Sequence, residues 1–187
     1  MNPYIYGIDP SWNSFGIIGG KFNRDILVFS VTLKLNRYNK KTVMSAFTTY
    51  IGIPADGSIC LYMIEDYNRG GAYQNPNSLI AMAELRGILE LFLEDVKNHI
   101  IYVAPTQLKK FITGSGKGDK SKIMKDVYKR WNFDSQTSDE ADAFGLWKIG
   151  NYLLDKDKWQ ELIKPQVEVL DKIYKKYRLV LDSFGKE

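Results

Sequence analysis

Apolar and polar positions come in short strand-length blocks at the start of the chain and settle into helical periodicity later. Tyr4-Ile5-Tyr6-Gly7-Ile8-Asp9 has a strand pattern that ends in an acid, and Pro10-Ser11-Trp12-Asn13 supplies turn residues. Residues 14–20 return as a second strand and 26–35 as a third, so the chain is expected to open with an antiparallel meander. Residues 41–50 predict a short helix that stops before Gly52 and Pro54. Residues 59–65 form a nearly continuous apolar run, as expected of a central strand covered on both faces, and this run also ends in an acid, Glu65.

A turn-rich loop over 67–77 follows. Ser78 is expected to cap a long helix whose apolar positions include Leu79, Met82, Leu85, Ile88, Leu89 and Phe92. His99 is expected at the end of that helix, where a cation complements the dipole. A strand over 100–103 comes next, then one or two helical turns over 106–111 and the glycine-rich run Thr113-Gly114-Ser115-Gly116-Lys117-Gly118. A helix from about Asp119 to Trp131 should turn Ile123, Met124, Val127 and Trp131 to the core, and another should run from Ser138 to about Leu154. Residues 159–184 read as one or two amphipathic helices, with Pro165 as break or first-turn residue.

Strands lead, and then strand and helix alternate. That order predicts a three-layer α/β fold in which helices flank a mixed five-stranded sheet. A length of 187 residues suits one domain: a body over 1–155 and a helical extension of the same domain over 156–187. No apolar run reaches the roughly 20 residues a bilayer span needs, and Met1 to Ile8 lack the pattern of a signal peptide. The one cysteine, Cys60, reads as a small buried strand residue, which fits a reducing, cytoplasmic compartment. A net charge of +4 permits a polyanionic partner, and the distribution of lysines says more.

Asp139 and Asp142 lie three residues apart on the 138–154 helix and so share a face. Acids in a first turn also complement the helix dipole, and alone this pair would read as capping. Asp9 and Glu65 change the picture, because two neighbouring strand ends and one helix face can bring four carboxylates together. Oxygen-only ligands suit Mg²⁺ or Mn²⁺, whereas a single cysteine and a single histidine offer no zinc spacing. Two such ions about 3.5–4 Å apart can activate a water and stabilise a leaving oxygen on phosphorus. Lys109, Lys110, Lys117, Lys120, Lys122, Lys125, Lys129 and Arg130 cluster around the glycine run and the next helix. Backbone of that kind before a helix N-terminus suits a phosphate; Lys125 and Lys129 read as a solvated face. Gly116-Lys117-Gly118 lacks the Ser/Thr of a nucleotide P-loop, so no nucleotide cofactor is expected. Tyr67 and Tyr73 could stack on unpaired bases and Arg69 could bind phosphate, because their loop directly follows Glu65.

Gly7-Ile8-Asp9-Pro10-Ser11, Ile64-Glu65, Arg86-Gly87, Gln107-Leu108-Lys109, Gly114-Ser115-Gly116, Asp119-Lys120-Ser121 and Asp139-Glu140-Ala141-Asp142-Ala143 fall in the order and spacing of RuvC-type Holliday junction resolvases. The chain resembles that family over roughly residues 4–153. The resemblance implies a ribonuclease H-like fold, a homodimer, and Mg²⁺-dependent cutting of four-way DNA junctions. It implies Asp9, Glu65, Asp139 and Asp142 as catalytic acids and metal ligands, with Asp9 bridging two ions and Mn²⁺ able to substitute. It sets Lys109 and Lys120 at the scissile region, Lys120 among the catalytic residues, and Lys117 and Lys122 on flanking phosphates. The 67–77 loop would enter the junction centre, and Arg86-Gly87 lies on the family's dimer helix. Ser11 stands where glycine is usual, and the last acidic helix carries no histidine. The divergence is phage-like, which implies action in the cytoplasm of a bacterial host and leaves open a broader taste for branched DNA, Y-shaped and fork substrates included. Two other readings compete: a noncatalytic junction-binding protein, which the full acid set disfavours, and an actin-like ATPase, for which the chain is too short.

Overall fold

The computed structural model describes residues 3–22, 27–52, 54, 56–66, 76–94, 99–116 and 118–184. Five strands, β1 (Tyr4–Asp9), β2 (Phe15–Lys21), β3 (Leu27–Leu33), β4 (Cys60–Glu65) and β5 (His99–Val103), form one sheet in the order β3-β2-β1-β4-β5. The opening meander is antiparallel, while β4 runs parallel to β1 and β5 parallel to β4. The expected mixed sheet is present, with β3 and β5 at its edges and β1 at its centre.

Helices α1 (Lys40–Ile51) and α2 (Pro76–Glu94) cover one face. The other carries α3 (Pro105–Thr113), α4 (Lys120–Trp131), α5 (Ser138–Leu154), α6 (Lys164–Lys176) and α7 (Arg178–Ser183), with a short 3-10 segment at Lys156–Glu161. The period-two alternation of a strand divides the core between these layers. Ile5, Leu61 and Met63 point to the α5 side, and Tyr6, Ile8, Tyr62 and Ile64 to the α1–α2 side. Tyr6 and Tyr62 stack at 4.9 Å, and their hydroxyls donate to the carbonyls of Gly52 and Ile51 at the end of α1. Cys60 is buried as expected, and burial pushes its thiol up to about 11.

Local chemistry sets the helix limits. Thr137 and Asp119 cap α5 and α4 by accepting the N–H groups of Glu140 and Lys122. Gly114, at φ 76°, ends α3 in the left-handed conformation that glycine adopts without strain. Pro165 falls in the first turn of α6, where a missing N–H costs nothing. Two expectations fail. Ser78 lies inside α2, which starts at Pro76, a first-turn residue for the same reason as Pro165. His99 opens β5 instead of ending a helix; its ring packs edge-on against Phe184 at 4.8 Å, and burial lowers its pKa.

The C-terminal helices belong to the same core. Val169, Leu170, Ile173 and Leu181 are buried with α3 and α5, and the buried Gln166 side chain donates to the Phe111 carbonyl at 3.1 Å.

Candidate active site and metal centre

Register brings the first two acids together. Ile8 pairs with Ile64 in the parallel β1–β4 ladder, so Asp9 and Glu65 stand side by side at the C-terminal ends of adjacent strands. Such ends are where ligands gather in α/β sheets. Alternation also puts Gly7, Asp9 and Glu65 on the face that α5 covers.

Two glycines let α5 approach closely enough to complete the set. A Cβ on Gly7 would lie 2.0 Å from the Ala143 carbonyl oxygen and 2.6 Å from the Trp147 nitrogen. On Gly16, opposite Asp9 in β2, it would lie 2.4 Å from the Asp139 carbonyl oxygen. With backbone touching backbone, Asp142 reaches the strand ends. One carboxylate oxygen from each of Asp9, Glu65 and Asp142 lies within 4.8 Å of the others, the spacing of a shared cation.

Asp139 stands beside this trio but outside it. Its Oδ2 accepts the Ser14 hydroxyl at 2.6 Å, which turns the carboxylate towards the β1–β2 turn. Its charge still raises the pKa of Asp9, Glu65 and Asp142. For Asp9 the largest cause is burial, then the Glu65 charge; its pKa is held well above the ordinary carboxylate range. Burial also raises Glu65, against a hydrogen bond with Asp9 and the opposing charges of Lys109 and Lys120. Burial, then Glu65 and Asp139, push Asp142 up to about 7. The Asp142 Oδ1 atom is buried and has no hydrogen-bond partner among the described residues. An all-oxygen donor set, mutual repulsion and an orphaned carboxylate oxygen together fit a hard divalent cation.

Lys109 on α3 and Lys120 at the start of α4 are the cations that act on this cluster. Lys122 does not join them: its ammonium pairs with Asp126 at 2.5 Å, one turn along α4. Tyr67, Arg69, Tyr73 and Lys117 lie outside the described residues.

The supporting contacts of three residues are not visible in the sequence. Glu140, between the two helix acids, is buried and accepts the Ser30 hydroxyl and the Gln136 N–H, fixing the start of α5. The Thr137-x-x-Glu140 spacing is a capping-box signal that could have marked it. Arg86 pairs with Asp66 at 2.5 Å and with Glu90 at 2.7 Å and lies 3.9 Å from the Tyr102 ring, tying α2 to the ends of β4 and β5. No local pattern announces Ser14, whose role depends on a partner 125 positions away.

Residues 64–147 match the family model for crossover junction endodeoxyribonuclease RuvC. The RuvC of Rhodopirellula baltica is 32% identical over 83 residues, 43% of this chain and 47% of that protein. The RuvC of Helicobacter hepaticus is 46% identical over 50 residues, 26% of each. The chain thus spans about half, or less, of the length of the curated relatives it matches. Among solved structures, Thermus thermophilus RuvC in complex with Holliday junction substrate superposes with a TM-score of 0.57 at 14% identity, over 78% of this chain and 90% of that one. The yeast mitochondrial Holliday junction resolvase gives 0.51 at 12% identity, over 98% and 85%. These likenesses establish the fold as ribonuclease H-like. The segment from Glu65 through Asp142 lies inside the family match, and the sheet and helices follow the RuvC arrangement, so the chain is similar to RuvC-type resolvases in both.

Proposed function

We propose that this chain is a divalent-metal-dependent endonuclease that resolves branched DNA, with the four-way junction as its substrate, in recombination and repair. The observation that carries the reading is the convergence of Asp9, Glu65 and Asp142 within 4.8 Å at the ends of two parallel strands. The family match over 64–147 supports it.

Asp9, Glu65 and Asp142 would hold Mg²⁺, two ions per site, with Asp139 swinging from Ser14 to complete the shell; Mn²⁺ would substitute. Bound cations of this kind supply an activated water and charge neutralisation at the leaving oxygen. The chain's own residues do the rest. Lys120 and Lys109, already close enough to act on the carboxylates, donate to non-bridging oxygens of the scissile phosphate and hold it over the cluster. The glycine run before α4, with Lys117 and Lys122, takes flanking phosphates. Tyr67, Arg69 and Tyr73 reach the junction centre. Residues 1–155 form the nuclease domain and 156–187 its helical extension, and the protein works in the cytoplasm of a bacterial host.

Paired nicks in opposed strands need two sites, so the working form is a homodimer. Its interface is the outer face of α2, where Ile80 and Leu91 are 58% and 64% exposed and Gly87 faces open space. Apolar side chains beside a glycine allow two helices to pack closely.

The test is cleavage of labelled four-way, Y-shaped and linear DNA with Mg²⁺. We expect symmetric cuts in the four-way substrate, and an Asp9→Asn chain that binds the junction but cuts at least about 10³-fold more slowly. Equal cutting of every branched form would make the protein a general branch nuclease, and tight binding without cutting would sink the enzymatic reading.

A further inference from the structure

We propose that the cleft behind the β1–β2 turn is a second DNA-binding site, in which Tyr38 stacks on an unpaired base and Lys34 and Lys41 hold the adjoining phosphates. The inference rests on the nuclease reading above and adds to it a path for one strand beyond the acids.

The turn over residues 10–14 has two sides. On one, Asp9 closes β1 and Ser14 holds Asp139. On the other, Trp12 and Asn13 line a cleft of about 590 Å³ whose remaining walls include Leu35, Arg37 and Ala81. Trp12 is three positions beyond Asp9, a reach of at most about 10 Å. A strand lying on the acid cluster and crossing this turn enters the cleft.

The cleft is held in shape before anything binds. The indole N–H of Trp12 donates to the Ala81 carbonyl at 2.6 Å, fixing the turn to α2. The Leu35 N–H donates to the Trp12 carbonyl at 2.9 Å, fixing the segment after β3 to the same turn.

Its rim is cationic. Arg37 and Lys40 share one acid, Glu84, so that group of three keeps a net positive charge. Lys34 and Lys41 are exposed and have no ion-pair partner among the described residues. Tyr38 lines the cleft with Lys34 and is 92% exposed, and Lys41 follows in the first turn of α1. One exposed tyrosine on a surface is ordinary. An exposed tyrosine set among cations at the mouth of a preformed cleft has the composition of a single-strand stacking platform. The base offered must be unpaired, because a duplex hides its base faces and a branch point exposes them.

The experiment measures equilibrium binding of the full chain, in EDTA so that nothing is cut, to a labelled four-way junction and to a short oligothymidylate. Tyr38→Ala should weaken both affinities about tenfold, and Tyr38→Phe, which keeps the ring, should restore them. Lys34→Glu combined with Lys41→Glu should weaken binding and flatten the slope of log affinity against log salt by about 2. All three chains should melt with the parent. A parent that binds while every variant binds equally well overturns this inference and leaves the nuclease reading intact. A Tyr38→Phe chain as weak as Tyr38→Ala overturns the stacking role. A parent that binds neither DNA overturns both readings.

Discussion

The two faces of the sheet are built differently. On the α5 side the helix is a middle layer, buried against β1 and β2 beneath it and against α3, α4 and α6 above. On the other side α1 and α2 are the outermost layer; α2 sinks Leu85, Leu89 and Leu93 and leaves Ile80 and Leu91 in solvent. The closed face holds three carboxylates at fixed spacing against their own repulsion. The open face has apolar and cationic surface to spare for partners. Rigidity sits where chemistry needs a geometry, and exposure where recognition needs a surface.

The largest effect on this contrast should come from Gly7→Ala. Its Cβ would overlap the α5 backbone, and backbone in a middle layer cannot give way as a flexible side chain can. We expect a loss of at least about 3 kcal/mol, or no folded protein, in a denaturant titration.

Next comes the repulsion within the cluster. Asp142 binds its proton more tightly folded than unfolded, with a pKa near 7 against 3.8. Between those values the native state holds more protons than the unfolded one, so metal-free stability falls as pH rises from about 4 to about 7. Asp142→Asn should flatten that decline and melt above the parent at pH 8, by about 1–3 kcal/mol. Added Mg²⁺ should stabilise the parent more than the variant. A variant less stable than the parent at pH 8 would show that the carboxylates do not strain the fold.

The smallest effect on stability belongs to the open face. Leu91→Lys should change the melting of the isolated chain by no more than about 0.5 kcal/mol, because the side chain is already exposed. It should nevertheless shift the mass measured by light scattering from dimer to monomer. An unchanged mass would exclude the outer face of α2 as the contact.

Much of the closed face was legible in the sequence. Strand-like apolar runs ending in Asp9 and Glu65 marked both strand ends, and the 138–154 helix matched its observed limits because Thr137 caps it. Ser78 misled because a serine before apolar periodicity resembles a cap, while Pro76, tolerated only in a first turn, marked the true start. Asp139 shows where one-dimensional spacing stops. It shares a helix face with Asp142, but the direction of its carboxylate is set by Ser14, across the fold. The cleft beside Trp12 is likewise formed by the turn, the segment after β3 and α2, and no single stretch of chain displays it.

The order in which the chain is made adds a consequence. Synthesis delivers β1 first and β4 well before α5, and domains begin to fold from the N-terminal side as they emerge. A nascent chain that has passed Glu65 holds two neighbouring strand-end acids and lacks the third. Asp142 arrives only when α5 docks, and the close fit at Gly7 and Gly16 leaves little room for a partly docked helix. The full set of acids therefore appears at a late step of maturation, and an unfinished chain lacks it.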